Sequence, residues 1–110
     1  MVSVVIGTYN HGAYIAKAIG SVLEQDFEGE MEIIIGDDNS EDDTYSICQS
    51  FAAKDSRIRL FQRNRSEVIY INGRPTGRNN FLKNIAEARG KYIALLDGDD
   101  YWDDSSKIRK

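Results

Sequence analysis

Tyr92-Ile93-Ala94-Leu95-Leu96-Asp97-Gly98-Asp99-Asp100 is the stretch that decides the fold. An unbroken apolar run of this length predicts a buried parallel strand, covered on both faces. The acids that follow cannot extend it inward, because an unpaired buried carboxylate is very costly. They must sit at the strand's mouth and face water or a cation. The same pattern occurs at Met31-Glu32-Ile33-Ile34-Ile35-Gly36-Asp37-Asp38. Carboxylates are hard oxygen ligands suited to Mg²⁺ or Mn²⁺, ions that commonly carry substrate phosphates. Two acid-tipped strands predict a site for a divalent metal and a polar ligand.

Working outward, residues 2–6 form a further Val- and Ile-rich strand candidate, which Gly7-Thr8-Tyr9-Asn10-His11-Gly12 interrupts. Ile15, Ala18, Ile19, Val22 and Leu23 fall on one helical stripe and predict a helix over 13–24. Asn10 is the expected cap of that helix. Strand 32–36 is followed by Ser40-Glu41-Asp42-Asp43, a capping sequence for a helix to about residue 53. Ile47, Cys48, Phe51 and Ala52 form its inward face. Residues 58–61 make a third strand. A third helix over 79–89 buries Phe81, Leu82, Ile85 and Ala86, and Gly90 stops it. Residues 92–96 make the fourth strand. Residues 62–77, with the chain's one proline, read as a long loop containing at most one short strand. Alternating strands and helices predict an α/β fold: an open, mostly parallel sheet with right-handed crossovers and helices on both faces.

With 110 residues, 41% hydrophobic and 29% charged, the chain suffices for one domain. A net charge of −4 and a pI near 4.9 argue against nucleic-acid binding through a basic field, local basic patches aside. No apolar run approaches the roughly 20 residues of a membrane span, and no signal peptide is visible. The single cysteine, Cys48, cannot form an internal disulfide and reads as a small buried hydrophobe, which fits a reducing, cytoplasmic setting. Asp103-Asp104-Ser105-Ser106 reads as a helix start, yet only four residues follow it. A larger parent protein is therefore expected, and a truncated sheet could self-associate through exposed apolar surface.

In an open parallel sheet, ligands bind beyond the carboxyl ends of the strands, near the point where strand order reverses. Thr8-Tyr9-Asn10, Asp37-Asp38-Asn39-Ser40 and Asp97 to Asp100 all lie at such ends. Together with Val2-Ser3-Val4-Val5-Ile6-Gly7, Arg78-Asn79 and Gly90-Lys91-Tyr92-Ile93, these motifs resemble the inverting family-2 glycosyltransferases. The likeness runs through nearly the whole chain, in order. It implies the GT-A fold and its Rossmann-like, nucleotide-sugar-binding half. The segment 62–77 departs from the family's shorter, Gly-rich version.

The resemblance implies roles that the residue types suit. Asp38 matches the carboxylate that accepts a hydrogen bond from a pyrimidine base, commonly uracil. Tyr9 matches a residue lying against that base, with Thr8 beside it. Asp97 matches the first acid of a DxD motif, near ribose or metal. Asp99 matches the acid binding Mn²⁺ or Mg²⁺, which would neutralise the departing diphosphate. Arg78 matches a basic position near the phosphates, where a planar guanidinium fits. The implied reaction is in-line displacement at the anomeric carbon by a hydroxyl of a saccharide or lipid-linked saccharide, in surface polysaccharide synthesis at the inner face of a membrane. The general base lies in the family's acceptor-binding half, beyond residue 110. These residues would then form a donor-binding part that is inactive alone.

Plainer readings stand beside these. Asp97 and Asp99 could be a solvated helix start. Asp37 reads as structural, and Asp100 as either a cap or a ligand. His11, the only histidine, reads as a loop or capping residue. Tyr101 and Trp102 anchor a following helix, and Lys107, Arg109 and Lys110 form a solvated face. Tyr101 and Trp102 also exclude an EF-hand loop, which needs a ligand and then glycine there. A receiver-type signalling domain shares the acid pair after a strand, but lacks its phosphoacceptor acid and lysine at later strand ends. A third reading is a non-catalytic nucleotide-binding or assembly module.

Overall fold

The structure, a computed structural model, describes residues 1–25, 29–63, 69–71, 74–76 and 78–98, with backbone only at 69–71, 74–76, 78, 79, 81 and 97. Among the described residues nine elements follow one another: β1 (Val2–Thr8), α1 (Ile15–Leu23), β2 (Met31–Asp37), α2 (Thr44–Lys54), β3 (Ile58–Gln62), β4 (Ile69–Ile71), β5 (Arg74–Thr76), α3 (Arg78–Glu87) and β6 (Tyr92–Asp97). Four strands form a parallel sheet in the order β3-β2-β1-β6, and β4 pairs antiparallel with β5. The predicted open parallel α/β sheet is therefore present. Within 62–77 the described residues hold two short antiparallel strands, β4 and β5, where the sequence reads as a long loop with one extra short strand. From β1 the order runs through β2 and β3 on one side and jumps to β6 on the other. The switch point thus lies between β1 and β6.

Period-two alternation sorts the sheet's two faces. Val4, Ile6, Ile33, Ile35, Ile58 and Leu96 pack with Ile15, Ala18, Ile19 and Val22 of α1 and Cys48 of α2 to form the core. Ile47, Phe51 and Ala52 close it from the side, as their spacing predicts. Cys48 is fully buried; burial, reinforced by the Asp37 carboxylate, pushes its thiol up to about 12.

The opposite face carries α3 and corrects an expectation. Leu82 is 50% exposed, and Ile85 and Ala86 also point outward, whereas Asn80 and Asn84 are buried against the sheet. The side chain of Phe81 lies outside the described residues. The reason is what lies beneath. Asn80 Nδ2 donates to the Gly36 carbonyl at 2.7 Å and Asn84 Nδ2 to the Ile6 carbonyl at 3.2 Å. A Cβ on Gly36 would fall 2.3 Å from Asn80 Oδ1. A glycine strand end leaves room for amides, not for large apolar side chains.

Further along this face, Glu32 is buried and accepts from Ser3 Oγ and the Arg89 N–H, both at 2.6 Å. Arg59 and Arg89 lie against its other oxygen. Gly90 stops no helix turn, since α3 ends at Glu87. It is glycine because a Cβ there would strike Ser3 Oγ at 2.6 Å and the Met1 carbonyl at 2.8 Å.

β6 also departs from its reading as a strand covered on both sides. Among the described residues it lies at the sheet edge, with Tyr92, Ile93 and Leu95 exposed. Ile93 and Leu95 share the face that carries α3, where Leu82 and Ile85 are also exposed, so apolar surface is left uncovered there among the described residues, while Tyr92 points to the opposite face.

Candidate functional site

The site begins with how far the strands run. β1 continues through Gly7 and Thr8 instead of breaking there, because Gly7 pairs with Gly36 and with Asp97, and Thr8 with Asp37. Three more backbone bonds extend the ladder past the strand ends. Asp38 N–H donates to the Thr8 carbonyl at 2.9 Å, Gly98 N–H to the Gly7 carbonyl at 2.9 Å, and Arg63 N–H to the Asp37 carbonyl at 2.7 Å. The carboxyl ends of β3, β2, β1 and β6 therefore form one continuous rim. Since neighbouring strands lie about 4.8 Å apart, Asp37 and Asp97 flank the β1 end within roughly 10 Å of backbone.

Thr8 and Asp38 are both buried at this rim, joined through the Asp38–Thr8 backbone bond, and Tyr9 is half-buried beside them. Asp97 is the last residue of β6, one strand over. Arg78 opens α3, whose Asn80 reaches the Gly36 carbonyl, so that helix starts at the same rim. The topology thus brings Thr8, Tyr9, Asp38, the Asp97 backbone and the first turn of α3 together. Asp99 and Asp100, Tyr101 and Trp102, the helix start at 103–106 and the terminal basic residues lie outside the described residues.

Several polar side chains brace this rim in ways the sequence reading assigns otherwise. Asp37 is structural, as expected: its carboxylate accepts from the Ser40 N–H at 3.0 Å and from the Ser40 hydroxyl. Ser40 is therefore committed to Asp37 and opens no capping box. α2 starts four residues later, where Asp42 accepts from both the N–H and hydroxyl of Thr44. Those bonds, opposed only weakly by burial, hold the Asp42 carboxyl below its ordinary range.

Asn10 caps no helix either. With φ of 52° it sits in the left-handed region, which asparagine tolerates. Its N–H donates to Ser40 Oγ at 2.9 Å, and its Oδ1 accepts from the Glu41 N–H at 2.8 Å. Gly12 N–H adds a bond to Asp42 at 3.0 Å. The loops after β1 and β2 are thereby tied into one wall beside the rim.

His11 lies inside this wall, its Nδ1 3.0 Å from Thr8 Oγ1. Sequence reasoning misses His11, Asn80 and Asn84. The available signal for the two asparagines is Gly36 at a strand end, where a close approach is needed.

Among the described residues no group of three or more His, Cys, Asp or Glu side chains is gathered as a metal site; β6 brings the Asp97 backbone to the place where the strand order switches. No helix among the described residues is long and apolar enough to cross a membrane.

Relatives support this reading of the architecture. A glucosyltransferase of Escherichia coli, "UDP-Glc:alpha-D-GlcNAc-diphosphoundecaprenol beta-1,3-glucosyltransferase WfaP", is 42% identical over 102 residues, which cover 93% of this chain and 36% of that protein. Staphylococcus aureus TarS (residues 1–349), solved in complex with UDP-GlcNAc, superposes with a TM-score of 0.70 at 30% identity, over 91% of this chain and 27% of that one. The mannosyltransferase PcManGT of Pyrobaculum calidifontis, solved with GDP-Man and Mn²⁺, shares the fold at a TM-score of 0.78 and 21% identity, over 97% of this chain and 30% of its own. This chain spans about a third of the length of the curated relatives it matches. Residues 3–110 match the family described as "Glycosyl transferase family 2", and with the parallel sheet, its rim and these likenesses in hand, the chain belongs to that family.

Proposed function

We infer that residues 1–110 are the nucleotide-sugar-binding part of an inverting GT-A glycosyltransferase that uses a UDP-sugar. The observation that carries this reading is the shared rim: Thr8, Tyr9 and Asp38 end β1 and β2 beside the Asp97 end of β6. A buried carboxylate next to an aromatic ring suits a pyrimidine imide, which donates an N–H and stacks. Asp38 accepts that N–H, Tyr9 lies against the base, and Thr8 contacts it alongside. Asp97 and Asp99 hold Mn²⁺ or Mg²⁺, which neutralises the diphosphate. Arg78 adds a guanidinium at the phosphates. UDP is favoured over other nucleotides because the names of WfaP and of the TarS complex both carry it.

The acceptor is a saccharide or lipid-linked saccharide, its hydroxyl deprotonated by a base supplied beyond residue 110. The isolated chain then binds donor without turnover. The setting is the cytoplasmic side of a membrane, in surface polysaccharide synthesis. The uncovered apolar face of α3 and β6 makes self-association of the isolated chain an expected behaviour.

Titration with UDP, GDP and CDP, with and without Mn²⁺, tests the reading. Metal-dependent UDP binding that Asp99→Ala abolishes is the expected result. Metal-independent binding, or none, overturns it.

A further inference from the structure

His11 is the chain's only histidine and sits where the β1 and β6 ends meet. Two groups converge on its Nδ1: Thr8 Oγ1 at 3.0 Å and the Tyr9 N–H, which donates at 3.4 Å. A backbone N–H can only donate, so Nδ1 carries a lone pair and the ring proton lies on Nε2. The His11 carbonyl in turn accepts from the Tyr14 and Ile15 N–H groups at 2.8 Å, which fixes the residue to the start of α1. On its other side the same nitrogen abuts Gly98. A Cβ on Gly98 would fall 2.7 Å from His11 Nδ1 and 2.5 Å from Thr8 Oγ1. Gly98 is the residue between Asp97 and Asp99.

We propose that His11 is a positioning residue of the donor site: with its ring proton on Nε2, its Nδ1 accepts a hydrogen bond from the Thr8 hydroxyl and seats Gly98. This rests on the donor-site reading above. Two consequences follow from the geometry. Thr8 Oγ1, its proton directed to His11, turns lone pairs to the rim and accepts from a bound nucleotide instead of donating to it. Gly98 is registered against both Thr8 Oγ1 and His11 Nδ1, so the ends of β1 and β6 are held to each other at that point.

The test uses the full chain and has two arms. In the first, long-range ¹H–¹⁵N NMR of the single imidazole reads the tautomer without any ligand. The expected spectrum shows an unprotonated Nδ1 and a protonated Nε2, with the Nδ1 resonance shifting in Thr8→Val. In the second, calorimetry with Mn²⁺ and UDP compares His11→Phe, which keeps a ring but loses the acceptor, with His11→Asn, whose Oδ1 can stand where Nδ1 stands. His11→Phe is expected to bind about tenfold more weakly, and His11→Asn to recover most of that loss. A proton on Nδ1, or UDP affinity in His11→Phe equal to wild type, overturns the proposal. A wild-type chain that binds no nucleotide refutes the donor-site reading instead, and the tautomer remains readable by the first arm.

Discussion

The Glu32 network makes the sharpest thermodynamic prediction. Glu32 lies on β2, its side chain only 5% exposed, and joins the start of β1, strand β3 and the connection from α3 into β6. Burial alone would raise its pKa. The Ser3 hydroxyl, the Arg89 N–H and guanidinium, and Arg59 outweigh that and hold it at about 2, against an ordinary 4.5. Because the folded-state pKa is depressed, the stabilisation is fully present above pH 4.5 and is lost as pH falls toward 2. The shift corresponds to a ceiling of about 3 kcal/mol. Arg59 and Arg89 remain open to water, with side chains 29% and 67% exposed, so screening lowers this to about 2 kcal/mol. Urea denaturation of wild type and Glu32→Gln at steps between pH 7 and pH 3 reads it directly. The wild-type advantage of about 2 kcal/mol at pH 7 should shrink steadily below pH 4.5. A pH-independent difference, or a glutamine variant as stable as wild type at pH 7, would refute the reasoning.

Other perturbations probe the rim and the core. Gly36→Ala forces a Cβ into Asn80 and Asn84 and should cost about 3 kcal/mol, seen as a lower denaturation midpoint; an unchanged midpoint would mean α3 can lift away freely. Asp38→Asn removes a charged acceptor from the proposed base contact, so UDP affinity should fall about 10- to 100-fold in calorimetry. Equal affinity would remove Asp38 from the base site. Cys48, buried and with its thiol raised to about 12, should react with a thiol reagent at pH 7 only as fast as the chain opens. Reaction at the rate of a free thiol would contradict the packing of α2.

The sheet was legible because its signals are local. Val4-Val5-Ile6, Ile33-Ile34-Ile35 and Ala94-Leu95-Leu96 declare strands by composition, and the stripe through Ile15, Ala18, Ile19 and Val22 declares a helix by spacing. The site was legible in part for the same reason: polar residues that directly follow apolar strands must gather at one rim once the strands are parallel. Ser40 and Asn10 read as caps, and Asn80 and Asn84 escape notice, because their roles depend on partners far along the chain. Asn10 and Ser40 meet across a separation of 30 residues, and Asn84 reaches Ile6 across 78. At that range a polar side chain beside a helix start looks like a cap.

The inverted α3 carries the more general point. An amphipathic count buries its leucine and isoleucine, yet the sheet face under it presents Ser3, Glu32 and Gly36, which need donors, acceptors and room. Buried polar groups of this kind are stable only when satisfied, and each bond they make fixes a direction that a contact between leucines leaves free. Asn80 ties the first turn of α3 to β2 one residue short of Asp37. Arg89 and Gly90 tie the helix's exit to Glu32 and Ser3, setting where β6 begins. With both ends held, the register that puts Asp97 beside Gly7 has little freedom to slip by one residue. Such a slip would turn every side chain of β6 to the opposite face. In this chain the polar underside of α3 is therefore what aligns the rim, while the apolar core on the other face supplies the bulk of the stability.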